Sequence, residues 1–194
     1  MGEPISISLP SQIDDFDQAI DTGWEFLRSS ESINKVFYAA SAAGDFSLIW
    51  HALNLARRVN NASRRGSVLQ LALVLGAESL IVNQGIKRLF RRNRPEIGSS
   101  SHPHRIRRPL TSSFPSGHAS SAVLAASILS EGSSVAPLYK SIAAVVATSR
   151  IHVRAHHASD VIAGALVGMF FTKLIRFSIS DAVALPLFIK KFKC

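Results

Sequence analysis

Cysteine is all but missing from this chain: Cys194 is the only one. No disulfide can form within the chain, no cysteine-built metal cluster is available, and the redox compartment leaves no trace. Acidic residues are scarce once the first stretch is passed. Seven of the thirteen (Glu3, Asp14, Asp15, Asp17, Asp21, Glu25 and Glu31) fall in the first 31 residues, so the remainder is strongly basic and the formal charge is +9. That balance fits nucleic acid, anionic lipid or an anionic substrate as partner. The acidic N-terminus lacks a compact apolar core, so no secretory signal peptide is visible. Internal repeats and low-complexity tracts are absent, and 194 residues is a length for one domain. Charged residues make up only 18% against 47% apolar, which places the composition on the membrane side of an ordinary soluble protein.

What is present is a series of apolar stretches. Ile13, Phe16, Ile20, Trp24 and Leu27 recur at helical spacing, with Asp14, Asp21 and Glu25 off the stripe, which predicts an amphipathic helix over residues 11–28. Ser11 and Asp14 have the spacing of a capping box. The acidic polar face sets this helix against the body of the protein or flat at an interface, since gripping anionic lipid would need a basic one. Five candidate spans follow, over residues 36–56, 68–86, 119–129, 135–148 and 161–175. Only the second and fifth approach the ~20 clean apolar residues a lone membrane helix needs. Helices packed inside a bundle tolerate polar interruptions. The expected fold is therefore all-α, a multi-spanning transmembrane helical bundle of about five spans plus the N-terminal amphipathic helix. Residues 1–32 form the amphipathic segment, 33–178 the helical membrane domain and 179–194 a basic tail. The alternative is a soluble all-helical protein with buried core helices. Asp45 and Glu78 fall at membrane depth and are expected to bond a neighbouring helix or face a polar cavity.

Three stretches carry chemistry. In Ser149 to Asp160, His156 and Asp160 are one helical turn apart if Asp160 opens the following helix. A carboxylate can then hold one imidazole nitrogen while the other serves as nucleophile or base, and a nearby guanidinium offers a fork for phosphate oxygens. In Lys87 to Pro95, Lys87 and Arg94 are seven residues apart, so two helical turns bring both to one face, with Arg91 on the same face. Taken alone, this cluster reads better as a juxtamembrane grip on lipid headgroups. In Thr111 to His118, Pro115 and Gly117 impose a tight turn just before an apolar helix. The helix N-terminus favours an anion there, and His118 stands at its mouth, placed to give a proton to a departing oxygen. With five spans the three stretches fall on one side of the membrane and can converge. His102, His104 and His152 are expected in loops, where a zinc site would lack thiolates and a recognised spacing.

Together the three stretches resemble the signature of the type 2 phosphatidic acid phosphatase family, whose superfamily includes vanadium haloperoxidases and bacterial acid phosphatases. The first motif, a lysine and then Arg-Pro with six residues between, is matched by Lys87, Arg94 and Pro95. Pro-Ser-Gly-His is present as Pro115 to His118, and the third motif is matched by Ser149, Arg150, His156 and Asp160. The resemblance implies that His156 attacks phosphorus to give a phosphohistidine, Asp160 orients it and His118 protonates the leaving alkoxide. Lys87, Arg94, Ser116, Gly117 and Arg150 would hold the phosphoryl oxygens, with no metal and no cofactor. The implied activity is hydrolysis of a lipid phosphate monoester or an isoprenoid diphosphate at the bilayer, with no nucleic acid as partner. Substrate and oligomeric state are not legible. Basic residues divide almost evenly between the two sides, so the positive-inside rule is silent, and the resemblance alone favours a plasma-membrane site facing outward. The rivals are a vanadium-dependent haloperoxidase and a non-catalytic basic protein that binds anionic lipid.

Overall fold

Pro10 precedes the first helix, α1 (Ser11–Arg28), and no side chain caps it. The expected capping box is not formed, because Ser11 is already the first helical residue where a capping box needs it one place earlier. The computed structural model describes residues 10–59, 67–96 and 111–191. Ser30 caps α2 (Glu31–Gly44), its hydroxyl accepting from the Ile33 N–H at 3.5 Å. The single helix expected over 36–56 is broken. A 3-10 turn at Asp45–Ser47 separates α2 from α3 (Leu48–Val59), and Phe46 and Ser47 adopt φ of 52° and 59°.

The next helix, α4 (Ser67–Leu80), widens into a π-helical turn at Ile81–Ile86 and closes with one α-helical turn, α5 (Lys87–Leu89). Such widened turns recur at functional sites because they re-aim the side chains around them. Ser116 caps α6 (Gly117–Ser130) by accepting from the Ala119 N–H. The break expected at 131–134 is there, with Gly132 at φ 60°. Two ends differ from expectation. Helix α7 (Ala136–His152) runs on past residue 148, so Ser149 and Arg150 are helical, and α8 (Ala158–Lys191) continues without a break past residue 175. Among the described residues all regular structure is helical.

Helix α6 is the axis of the bundle, packed along α7 and α8 and touching α3 and α4. Its composition explains the place. Ala119, Ser120, Ser121, Ala122, Ala125 and Ala126 are buried and small, so neighbouring backbones come close. Gly164 and Gly168, one turn apart on α8, complete the fit: a Cβ at Gly164 would run into the Ser116 carbonyl, and one at Gly168 into the Ser120 carbonyl. Trp50, Leu71, Leu75, Val82, Leu124, Leu129, Val146 and Phe171 fill the main core. A smaller cluster of Ala119, Ala147, Ile151, Ala158 and Val161 receives Ile20 and Trp24 from α1, so the amphipathic helix lies against the body of the protein.

The outer faces are apolar: Leu69, Leu73, Leu80 and Ile81 on α4 and the π turn, and Ile162, Leu166, Phe170 and Leu174 on α8, are exposed. Two stretches are long and apolar enough to cross a membrane, Val68–Leu89 and Ala158–Phe177. At 14 residues, α6 rises only about 21 Å, short of the ~30 Å hydrocarbon core, and is viable because helices surround it. With apolar outer faces and two stretches long enough to span, the chain is a transmembrane helical bundle.

Gly164→Ala is expected to force α8 away from α6, lowering stability by ~1–3 kcal/mol as overpacking does. Thermal unfolding in detergent measures it. Gly23→Ala, with open space around the added carbon, is the control and should be neutral or slightly stabilising.

Candidate active site

The α7–α8 connection is built around buried charge. Arg150, 2% exposed at the end of α7, donates to the Ser41 hydroxyl of α2, and its carbonyl accepts the N–H groups of Ala155 (2.9 Å) and His156 (3.1 Å). These bonds fold residues 153–157 into a tight return with Arg154 at φ 50°. His156 therefore lies in the connection and not on the helix with Asp160. The two still meet, because Asp160 sits in the first turn of α8 and reaches back: its Oδ2 accepts from the His157 N–H at 2.9 Å and lies 3.7 Å from His156 Nδ1. The first-turn acid thus caps its own helix and faces the imidazole at once. The other ring nitrogen, Nε2, is 3.2 Å from Arg94 Nη1.

Arg94 gets there by a route different from the expected one. The helix stops at Leu89, where Phe90 turns extended, and residues 90–96 carry no regular structure in place of two further helical turns. The reason is a local hydrogen-bond exchange. Arg92 N–H donates to Ser112 Oγ at 3.1 Å, the Ser113 N–H to Arg92 O at 3.0 Å and Ser113 Oγ to Asn93 O at 3.1 Å. Phe90 also packs edge-on against Phe114, with centroids 4.9 Å apart. Arg94 then donates to Ala155 O at 2.6 Å, across from His156, while Arg91 is exposed. Lys87, buried at the end of the π turn, comes to the same place from α5.

A cavity of about 460 Å³ collects Lys87, Gly117, His118, Arg150 and His156 on its walls, with Asp45, Glu78 and Asn83 beside them. All three sequence stretches thus converge on one mouth. A Cβ at Gly117 would lie 3.5 Å from Asn83 Oδ1 and 3.8 Å from Lys87 Nζ, so the glycine backbone directly faces the ammonium. Ser116 contributes differently from the rest. Its hydroxyl is the α6 cap and its N–H donates to Asp160 O at 3.0 Å, which fastens the N-terminus of α6 to that of α8. The N-termini of α6 and α8 are thereby held together, so the positive ends of both helix dipoles lie in one region. Burial holds His156 far below the ordinary histidine value, at about 3, with Arg150, Arg94 and Lys87 acting in the same sense against the pull of Asp160. The imidazole is neutral at physiological pH, with an unprotonated nitrogen available for attack.

Two residues outside the sequence motifs belong to this arrangement. Arg92 bridges Asp160 Oδ1 and Asp17 Oδ2, both at 2.6 Å, and Ser159 Oγ at 2.7 Å. Asp17, 5% exposed on α1, also accepts from the N–H and Oγ of Ser159 at the start of α8. The available signal was charge complementarity: an acidic helix in a chain whose remainder is basic. His152 is a correction. It is no loop residue but the buried last residue of α7, stacked on Phe37 (centroids 4.4 Å apart) and bonded to Asn34 (2.7 Å) and Trp24 (3.1 Å). His102 and His104 lie outside the described residues. Among the described residues no group of three or more His, Cys, Asp or Glu is arranged to hold a metal ion.

The model of the PAP2 superfamily matches residues 67–183, more than half of the chain. A crystal structure of a transmembrane PAP2-type phosphatidylglycerolphosphate phosphatase from Bacillus subtilis shares the fold, with a TM-score of 0.70 over 89% of this chain and 88% of that one, at 21% identity. No curated protein matches the chain.

Arg92→Ala would leave the Asp17 and Asp160 carboxylates, 3% and 0% exposed, without their shared counter-ion. The expected loss is ~3–5 kcal/mol, the cost of breaking a buried pair from one side. It is read as a fall in thermal midpoint, with Arg92→Lys intermediate because an ammonium lacks the planar fork that serves two carboxylates.

Proposed function

The chain belongs to the PAP2 superfamily, and from that premise we propose that it hydrolyses a lipid phosphate monoester or isoprenoid diphosphate without a metal, through a phosphohistidine. The observation that carries this reading is the pairing of His156 Nε2 with Arg94 Nη1 at 3.2 Å, where His156 itself lines the cavity shared with Lys87, Arg150 and His118. A phosphoryl group placed between these cations has its oxygens neutralised and its phosphorus in front of a neutral imidazole. Phosphoryl transfer requires mainly such positioning and electrostatic stabilisation.

In the first step the His156 Nε2–P bond forms and the P–O bond to the lipid breaks, with a proton from His118 passing to the leaving oxygen. In the second, a water attacks phosphorus, His118 takes its proton, and the P–N bond breaks to release phosphate. Asp160 orients the His156 ring and balances its charge in the intermediate. Lys87, Arg94, Arg150 and the Gly117 amide hold the oxygens, while Ser116 sets that amide in place. The cavity is also walled by Ala72, Leu75 and Gly76 of α4, which suits a substrate whose tail stays in lipid while its headgroup enters. The site is assigned to the outer face of the plasma membrane by family resemblance.

The test is phosphate release in the presence of chelator from a panel of phosphatidate, phosphatidylglycerolphosphate and isoprenoid diphosphates in mixed micelles. Activity is expected on at least one, and His156→Ala or His118→Ala should lower it at least ~100-fold. Release from none, or peroxide-dependent bromination after addition of vanadate, would assign the chain elsewhere. The pH profile has a definite sign. His118 gives its proton as the imidazolium, and burial lowers its pKa below the ordinary histidine value. Hence kcat/KM should be highest on the acid side of that pKa and fall as pH rises through it. A profile rising through neutrality would contradict His118 as the acid.

A further inference from the structure

The break between α2 and α3 has no explanation in helix packing alone. It falls at Gly44, after which Asp45 enters a 3-10 turn and two successive non-glycine residues, Phe46 and Ser47, take positive φ. Strained backbone of this kind gathers at functional sites, where surrounding contacts over-determine it. Here the contact is specific. A Cβ at Gly44 would stand 2.8 Å from His118 Cδ2 and 3.5 Å from His118 Nε2, so the Cδ2–Nε2 edge of the ring is laid flat against the glycine. The residue that follows, Asp45, brings Oδ1 to 3.0 Å from that same Nε2. Glycine lets the ring in, and the turn delivers a carboxylate to one of its nitrogens.

We propose that Asp45 is the positioning residue of His118: it accepts the Nε2–H bond, and so fixes Nδ1 as the nitrogen that passes a proton to the leaving oxygen of the lipid. This rests on the phosphatase reading above. The neutral ring is held as the Nε2–H tautomer. In the imidazolium Nε2–H still points at Asp45 and Nδ1–H at the substrate oxygen. On transfer, the P–O bond breaks and its electron pair receives the Nδ1 proton, which restores the neutral tautomer without a ring flip. The same Nδ1 then takes a proton from the attacking water.

Asp45 also answers an electrostatic problem. His118 shares its cavity with Lys87 from the π turn, Arg150 from α7, His156 from the α7–α8 connection, and His51 and Glu78 from α3 and α4. Burial disfavours its imidazolium, and Arg150 and Lys87 do so as well, while Asp45 opposes all three. Without that carboxylate the acid would be discharged below the pH at which it is needed. Glu78 lines the same cavity and acts on Lys87. Asp45 is the carboxylate with a bond to the ring among the described residues.

Two measurements test this. First, in detergent-solubilised wild-type protein carrying 15N-histidine, the His118 signals (assigned by their loss in His118→Gln) should report the Nε2–H tautomer when neutral. An Nδ1–H tautomer would overturn the proposal without any variant at Asp45. Second, Asp45→Asn should move the His118 titration, and with it the alkaline limb of kcat/KM, to lower pH by about one unit, the low end for losing an opposite charge at contact distance. Above the limb this is about a tenfold loss in kcat with KM little changed, and Asp45→Glu should recover part of it. A limb and titration at the wild-type pH in Asp45→Asn would refute the role. The nuclear magnetic resonance titration does not depend on turnover, so a wild type that releases no phosphate counts against the phosphatase reading alone.

Discussion

Positive charges gathered at one end of an apolar bundle repel one another, and in a medium that screens poorly the repulsion is strong. Lys87 and Arg150 are 7% and 2% exposed, and Arg94 stands across from His156. Of the nearby acids, Asp160 and Asp17 are bonded to Arg92, Asp45 to His118, and Glu78 acts on Lys87. The cavity therefore keeps a net positive field toward whatever enters it. Phosphoryl oxygens are a fitting complement, since they can accept from several fixed donors at once. Burial is the main reason His156 is neutral, and the same field acts in that sense.

Holding these cations in place requires close backbones. Small residues on α6 and the Gly164–Gly168 pair on α8 allow the two helices to touch, and the Ser116 N–H bond to Asp160 O ties their first turns together. The positive ends of the two helices then lie in one region, adding backbone dipoles to the side-chain charges. Packing and chemistry are one constraint here, because a helix pair spread by a single methyl group would misplace Gly117, His118 and Asp160 together.

The end of α7 leaves carbonyls without helical partners, and α1 supplies donors for two of them. Arg28 donates to the carbonyls of Ile151 (2.8 Å) and His152 (2.9 Å) and is itself held by Asp21 and Glu25. Asp17 caps the start of α8 and orients Arg92. The acidic helix is thus a buttress behind the α7–α8 connection, and its charge is matched to the protein's own basic segments and not to lipid.

Much was legible before any coordinates. The three motifs carry residue types whose chemistry converges on one reaction, and span parity already placed them on one side of the membrane. The all-α class and the two long apolar helices followed from hydropathy, which acts locally and is written along the chain. What the chain order could not disclose was how Arg94 arrives, since a helical register and an extended segment both keep it seven residues from Lys87. Only the Ser112 and Ser113 hydrogen bonds choose between them. The kink at Asp45, the placing of Arg92 against Asp17 and the burial of His152 are likewise products of contacts between residues 70 to 130 positions apart. Local pattern decides which segments are helices and which residues bear charge. Which charge meets which partner depends on helix crossings, and those are set by the volume of small side chains summed over the whole bundle.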